Sequence, residues 1–93
     1  RVSPLEVEAA LLAHPAISEV GVTDIEVKED ARIIVAFYVG EAADEADLKS
    51  FAADCLARYK QPRVYVRLEA LPSGANGKIL RRALKPLYEV RNG

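Results

Sequence analysis

Ninety-three residues make one small domain, since compact domains start at about 50 residues, and two independent cores are excluded. A composition of 51% hydrophobic and 29% charged residues, with five glycines and five prolines, excludes a disordered tail. The net charge of −1 gives no reason by itself to expect a nucleic-acid or membrane partner.

The first element is a helix with a written start: Ser3 as N-cap, Pro4 at the first helical position and Glu6 at the third make a capping box, with Val2 and Val7 in the staple positions. It is expected over about residues 4 to 13, because Pro15 pushes His14 out of the helical region. Ile17 to Val22 suits a strand. Ile33 to Val39, an unbroken run of apolar and mostly β-branched or aromatic residues, suits a central one. The charged stretch from Asp24 to Arg32 is expected to be the hairpin connection between them.

Leu48, Phe51, Ala52, Cys55, Leu56 and Tyr59 recur at spacings of three and four, which predicts an amphipathic helix over about 45 to 59 with its acidic residues at the N-terminal end. Cys55, on that stripe, is expected to be a buried small hydrophobe. As the single cysteine it excludes a disulfide framework and a cysteine-based zinc site, as a reducing cytoplasm permits. From Arg63 to Leu68 alternation is strict: Val64, Val66 and Leu68 would pack, while Arg63, Tyr65 and Arg67 would form an open basic face. Leu71 to Gly77 reads as a loop, and Lys78 to Leu84 as a short last helix ending before Pro86.

No apolar run approaches the about 20 residues that span a bilayer, and the first residues lack the order of a signal peptide, so a cytoplasmic chain is expected. It opens Arg1-Val2 without a methionine, which fits a piece of a longer polypeptide. His14 is expected to complement the end of its helix rather than bind metal, since no second histidine or paired cysteine accompanies it.

Counted in two parts, the charge is polarised. Residues 1 to 57 hold four Lys or Arg against twelve Asp or Glu, net −8, whereas residues 58 to 93 hold nine against two, net +7. Either the C-terminal third faces an anion or the two parts neutralise each other within the fold. Gly74-Ala75-Asn76-Gly77-Lys78 is the sharpest local feature: two glycines let backbone approach a ligand, and Lys78 adds a mobile ammonium. It is not a P-loop, which has four residues between its glycines and Ser or Thr after the Lys. The string also suits an ordinary surface turn, or the Gly-x-x-Gly of a KH-like nucleic-acid-binding module.

Leu71-Pro72 followed by Asn76-Gly77-Lys78-Ile79-Leu80-Arg81-Arg82 resembles the last signature of the adenylate-forming enzymes: acyl-CoA synthetases, aryl-CoA ligases, luciferases and peptide-synthetase adenylation domains. Arg1 to Glu8, His14 to Val20 and Tyr59-Lys60-Gln61-Pro62-Arg63 resemble further passages of that family, in the same order. The resemblance spans nearly the whole chain and covers only the family's C-terminal lid. It implies an α+β fold with a small, mainly antiparallel three-stranded sheet and flanking helices, residues 1 to 93 forming the lid. The hinge and a large N-terminal domain would lie upstream.

The implied activity is that of an AMP-forming acid:CoA ligase, using ATP with Mg2+ and coenzyme A on a carboxylic acid, with no nucleic-acid partner and no membrane span. The lid would rotate between adenylation and thioester formation, and the isolated piece would be inactive. Lys78 is then the catalytic cation, Gly74, Asn76 and Gly77 form the nucleotide loop at 72 to 78, and Lys60 and Arg63 are candidates for the CoA phosphates. Lys60 and Arg63 read equally well as a solvated helix end, whereas Arg81 and Arg82 could assist anions but read more readily as partners of the acidic half. The chain departs from the family in lacking Thr-Pro-Ser-Gly-Lys before the Lys and Gly-x-Pro-Asp near residues 23 to 32. Leu80 stands where peptide-synthetase domains usually carry Asp, which favours CoA over a carrier protein.

Overall fold

The computed structural model describes residues 2–74 and 77–92. Six regular elements follow in order: α1 (Pro4–Leu11), β1 (Ile17–Lys28), β2 (Ala31–Gly40), α2 (Glu45–Cys55), β3 (Val64–Arg67) and α3 (Leu84–Asn92). Short 3-10 turns at Arg58–Lys60 and Arg81–Ala83 precede the last strand and the last helix.

At the start of α1 the Ser3 hydroxyl accepts the Glu6 N–H at 3.4 Å, but the reciprocal half of the capping box is not made. The Glu6 carboxylate instead accepts Lys60 Nζ at 2.8 and 3.1 Å, because a cation outbids a backbone N–H for an exposed carboxylate. The last turn tightens through Ala13 N–H to Ala10 C=O and His14 N–H to Leu11 C=O, so regular helix stops at Leu11, two residues before the expected end.

The sheet order is β1-β2-β3, with the apolar run of β2 in the centre as expected. β1 and β2 pair antiparallel from Ile17↔Gly40 to Lys28↔Ala31, whereas β3 lies parallel to β2 over only four pairs, Val35↔Val64 to Tyr38↔Arg67. The sheet is therefore mixed, its longer pairing antiparallel, and α2 makes the crossover that a parallel neighbour requires. The charged stretch after Val22 is not a connection. β1 runs on to Lys28 with Ile25 inward and Asp24 and Glu26 outward, and the turn is only Glu29-Asp30, with Asp30 at φ +61. Aspartate tolerates that left-handed conformation in a two-residue hairpin.

Each face of the sheet carries its own core. α1 and α2 cover the face that includes Val20, Val22, Ala36 and Tyr38, while Leu84 and the chain after β3 cover Ile25, Val35 and Phe37. β3 is sandwiched between the two. Tyr65, expected on an open basic face, is 5% exposed beneath the helices, and Val66 is buried on the other side. Only Arg63 and Arg67 stay outside.

α2 starts on Asp44, whose side chain accepts the Ala46 N–H, with Glu45 and Asp47 complementing the helix dipole. It ends at Cys55, short of the expected residue 59: Leu56 is extended, and Gln61 Nε2 donates to the Leu56 carbonyl at 3.0 Å where a further helical turn would have done so. Leu56 stays buried, but Cys55 and Tyr59 are turned outward, Tyr59 to 67% exposure, so neither is core. The short helix expected over Lys78 to Leu84 is not formed: Ile79 is in a β-bridge, Arg81–Ala83 is a 3-10 turn, and the last helix begins only at Leu84 and runs past Pro86. Pro86 sits in its first turn, where a missing N–H breaks no intrahelical bond.

Candidate active-site loop

The segment after β3 folds into a tight hairpin. Ser73 and Ile79 form an antiparallel bridge, Gly74 N–H donates to the Lys78 carbonyl at 2.8 Å, and Gly77 N–H donates to the Gly74 carbonyl at 3.0 Å. Gly77 lies at φ +80, and nothing stands within 4 Å of where its Cβ would be. Backbone conformation, not space, asks for glycine there. Lys78 follows this turn and is exposed; Asn76 lies outside the described residues.

The stem after Lys78 is held on several sides. Leu80 N–H donates to the Pro72 carbonyl at 3.1 Å. Ile79 and Leu84 pack over Gly21 of β1, where a Cβ would meet Leu84 Cδ1 at 3.3 Å and Ile79 Cγ2 at 3.4 Å. Arg81 donates through Nη2 to Glu8 Oε1 at 2.6 Å and through Nε to Glu8 Oε2 at 3.2 Å, and Glu8 Oε2 also accepts the Val22 N–H at 2.8 Å. This is the pairing of Arg81 with the acidic half that the charge split suggested; Arg82 is exposed. Sequence reasoning overlooked Glu8. The signal was available: Glu8 stands beside Val7, one helical turn before Leu11, and a carboxylate on a buried stripe requires a partner.

Lys60 and Arg63 stand ahead of β3, whereas the loop follows it. Lys60 is bound to Glu6 and lies 5.5 Å from the centre of the Tyr59 ring; the hydrogen bond to Glu6 holds its ammonium above the ordinary lysine range. Arg63 is exposed at its side chain and anchored by its N–H to the Ile34 carbonyl at 2.8 Å. Beside Tyr59, a groove of about 440 Å3 runs along Val2, Pro4, Val22 and Ile34 to the Asp24–Arg32 ion pair. Among the described residues no group of three or more His, Cys, Asp or Glu is placed to hold a metal ion, and no helix is long and apolar enough to cross a membrane.

A mixed three-stranded sheet with three helices matches the architecture of the C-terminal domain of AMP-forming ligases. Residues 6–78 match the family described as AMP-binding enzyme C-terminal domain, and the chain belongs to that family. The match runs through Gly74 and Gly77, so the Gly-x-x-Gly pair lies within a domain of this family and not in a KH-like module. The chain is 43% identical over 89 residues to a 2-succinylbenzoate–CoA ligase of Geobacillus kaustophilus, covering 92% of this chain and 18% of that protein. Among solved structures it resembles the Mycobacterium tuberculosis fatty acyl CoA synthetase, with a TM-score of 0.87 and 30% identity over 97% of this chain and 18% of that one. The Bacillus subtilis o-succinylbenzoate CoA synthetase in complex with its acyl-adenylate intermediate gives 0.84 and 36%, over 90% and 18%. The chain thus spans about a fifth of the length of these relatives.

Proposed function

We propose that the chain is the C-terminal lid of an AMP-forming acid:CoA ligase and that Lys78 is the cation it delivers to the adenylation step. The supporting observation is the hairpin that presents Lys78 next to a glycine at φ +80, in a chain 43% identical to a CoA ligase. In the first half-reaction a carboxylate oxygen attacks the α-phosphorus of ATP and pyrophosphate leaves. Two anions meet, and an ammonium at that point stabilises the charge as it redistributes. In the second, the thiol of CoA attacks the acyl carbon, AMP departs and the thiol proton is released.

A large N-terminal domain of the same chain would bind most of the ATP and the acid, and this domain would rotate between the two steps. Gly74 and Gly77 would let the backbone of the loop approach the nucleotide closely, and Asn76 would be part of the same nucleotide loop. The Mg2+ that accompanies ATP is assigned to the large domain. Lys60 and Arg63 would meet the phosphates of CoA, with Lys60 exchanging Glu6 for phosphate. CoA is favoured over a carrier protein as acceptor because the relatives are CoA ligases. A reducing cytoplasm suits the lone exposed Cys55.

The test is Lys78→Ala in the full-length enzyme. Acid-dependent exchange between ATP and pyrophosphate should fall about a hundredfold or more, while thioester formation from supplied acyl-AMP is largely kept. Equal losses in both steps would remove Lys78 from the adenylation role. The isolated 93 residues should show no exchange, and robust exchange would sink the lid assignment.

A further inference from the structure

Glu8 carries a negative charge into the interior, at 7% exposure, where an unpaired carboxylate is costly. Its two oxygens meet three donors, so the charge is fully answered. The donors come from different places. Val22 N–H points out from the free side of β1, because β2 occupies the other side, while both guanidinium nitrogens belong to Arg81, three residues beyond Lys78. One side chain of α1 therefore ties the edge of the sheet to the stem of the Lys78 hairpin.

That stem is fixed three times in three consecutive residues: Ile79 against Gly21, Leu80 to the Pro72 carbonyl, and Arg81 to Glu8. The first two contacts are apolar packing and a hydrogen bond within the hairpin itself. Of the three, the Arg81–Glu8 pair is the directional one, since a forked guanidinium on a carboxylate sets both distance and plane. What holds the stem contributes to the position of the lysine at its start, and a misplacement of about 1 Å can cost about a hundredfold in rate.

We propose that Glu8 and Arg81 are positioning residues for Lys78, a clamp that aims its ammonium in the adenylation step. The inference rests on the reading of Lys78 as the adenylation cation. It differs from a purely structural ion pair in what it predicts, because loss of stability lowers both half-reactions together, whereas loss of aim lowers only the one that uses Lys78.

The experiment uses the full-length enzyme with Arg81→Lys, which keeps a cation without the fork, and Glu8→Gln, which keeps the shape and the acceptor for Val22. Adenylation, read by ATP–pyrophosphate exchange, should fall about 10- to 100-fold in each, with thioester formation from supplied acyl-AMP within about twofold of the parent. Adding Arg81→Lys to Lys78→Ala should slow adenylation no further, because the first residue acts through the second. Equal losses in the two half-reactions, or an undiminished extra loss in the double variant, would overturn the clamp. If Lys78→Ala alone leaves exchange intact, the reading of the loop falls and the clamp with it. If Lys78→Ala abolishes exchange and both clamp variants keep it, only the clamp falls.

Discussion

His14, just past α1, joins Asp47 in the first turn of α2 across 33 residues of sequence: Nε2 lies 3.0 Å from Asp47 Oδ2. Nδ1 accepts the Ala16 N–H at 3.0 Å, so the ring hydrogen resides on Nε2 and is donated to the carboxylate. The ring also stands edge-on to Phe51, 4.9 Å between centroids at 82°. The histidine is a buried joint between the two helices, more than a complement to one helix end.

His14→Ala should therefore cost about 2–3 kcal/mol, since it removes two hydrogen bonds and an aromatic contact from a buried site. Asp47→Asn should cost no more than about 1 kcal/mol, because Asp47 is exposed and an amide oxygen still accepts from Nε2. Urea denaturation of the two variants checks the asymmetry, and equal losses would contradict it.

Gly40→Ala should be the most damaging small substitution. A Cβ there would lie 1.9 Å from the Ala16 carbonyl oxygen, which is itself bonded to the Glu41 N–H at 2.9 Å, and φ is +154. Relief requires the strand end and the α1–β1 turn to part, at about 3 kcal/mol. A shift of the urea midpoint corresponding to less than about 1 kcal/mol would show that the turn yields freely.

Tyr65 gives a pH signature. Burial pushes its phenol well above the ordinary range and the charge of Glu45 adds to this, while the hydroxyl has no hydrogen-bond partner among the described residues. The unfolded phenol ionises near pH 10 and the folded one higher, so the folded chain binds more protons and stability falls as pH rises past about 10. Below that pH this contribution is constant. Tyr65→Phe should flatten the alkaline decline and leave neutral stability equal or up to about 1 kcal/mol higher. An unchanged alkaline profile would place the decline elsewhere.

Lys60→Ala and Arg63→Ala should each raise KM for CoA about three- to tenfold in the full-length enzyme, with ATP–pyrophosphate exchange unchanged. A loss of exchange without a change in KM would refute their assignment to the thiol step.

The legible parts of the fold were those set by local chemistry. Ser3 and Pro4 mark the start of α1, and the apolar run of β2 marks a strand buried on both sides. Misread parts depended on neighbours distant in sequence. Thr23 to Lys28 does alternate, but its charged residues disguised a strand whose outward side faces water. The alternation of β3 implied one open face, yet helices from earlier in the chain close over Tyr65 while residues after β3 close over Val66. α2 stops at Cys55 because Gln61 folds back on Leu56, a contact no periodicity encodes. Lys78 was legible as a candidate through its glycines and the family resemblance; the burial of Glu8 was legible from its place on the apolar stripe, but its partner, 73 residues away, was not.

The contact between Glu8 and Val22 also bears on solubility. β1 is twelve residues long and has a sheet neighbour on one side only, and such an outer edge offers a template on which a second molecule can add a strand. The Glu8 carboxylate takes the N–H at the middle of that edge, and the guanidinium of Arg81 lies against the same spot. A second copy approaching β1 would find its central donor taken and a charge pair in its path, which guards the edge of the sheet against zipping onto another molecule.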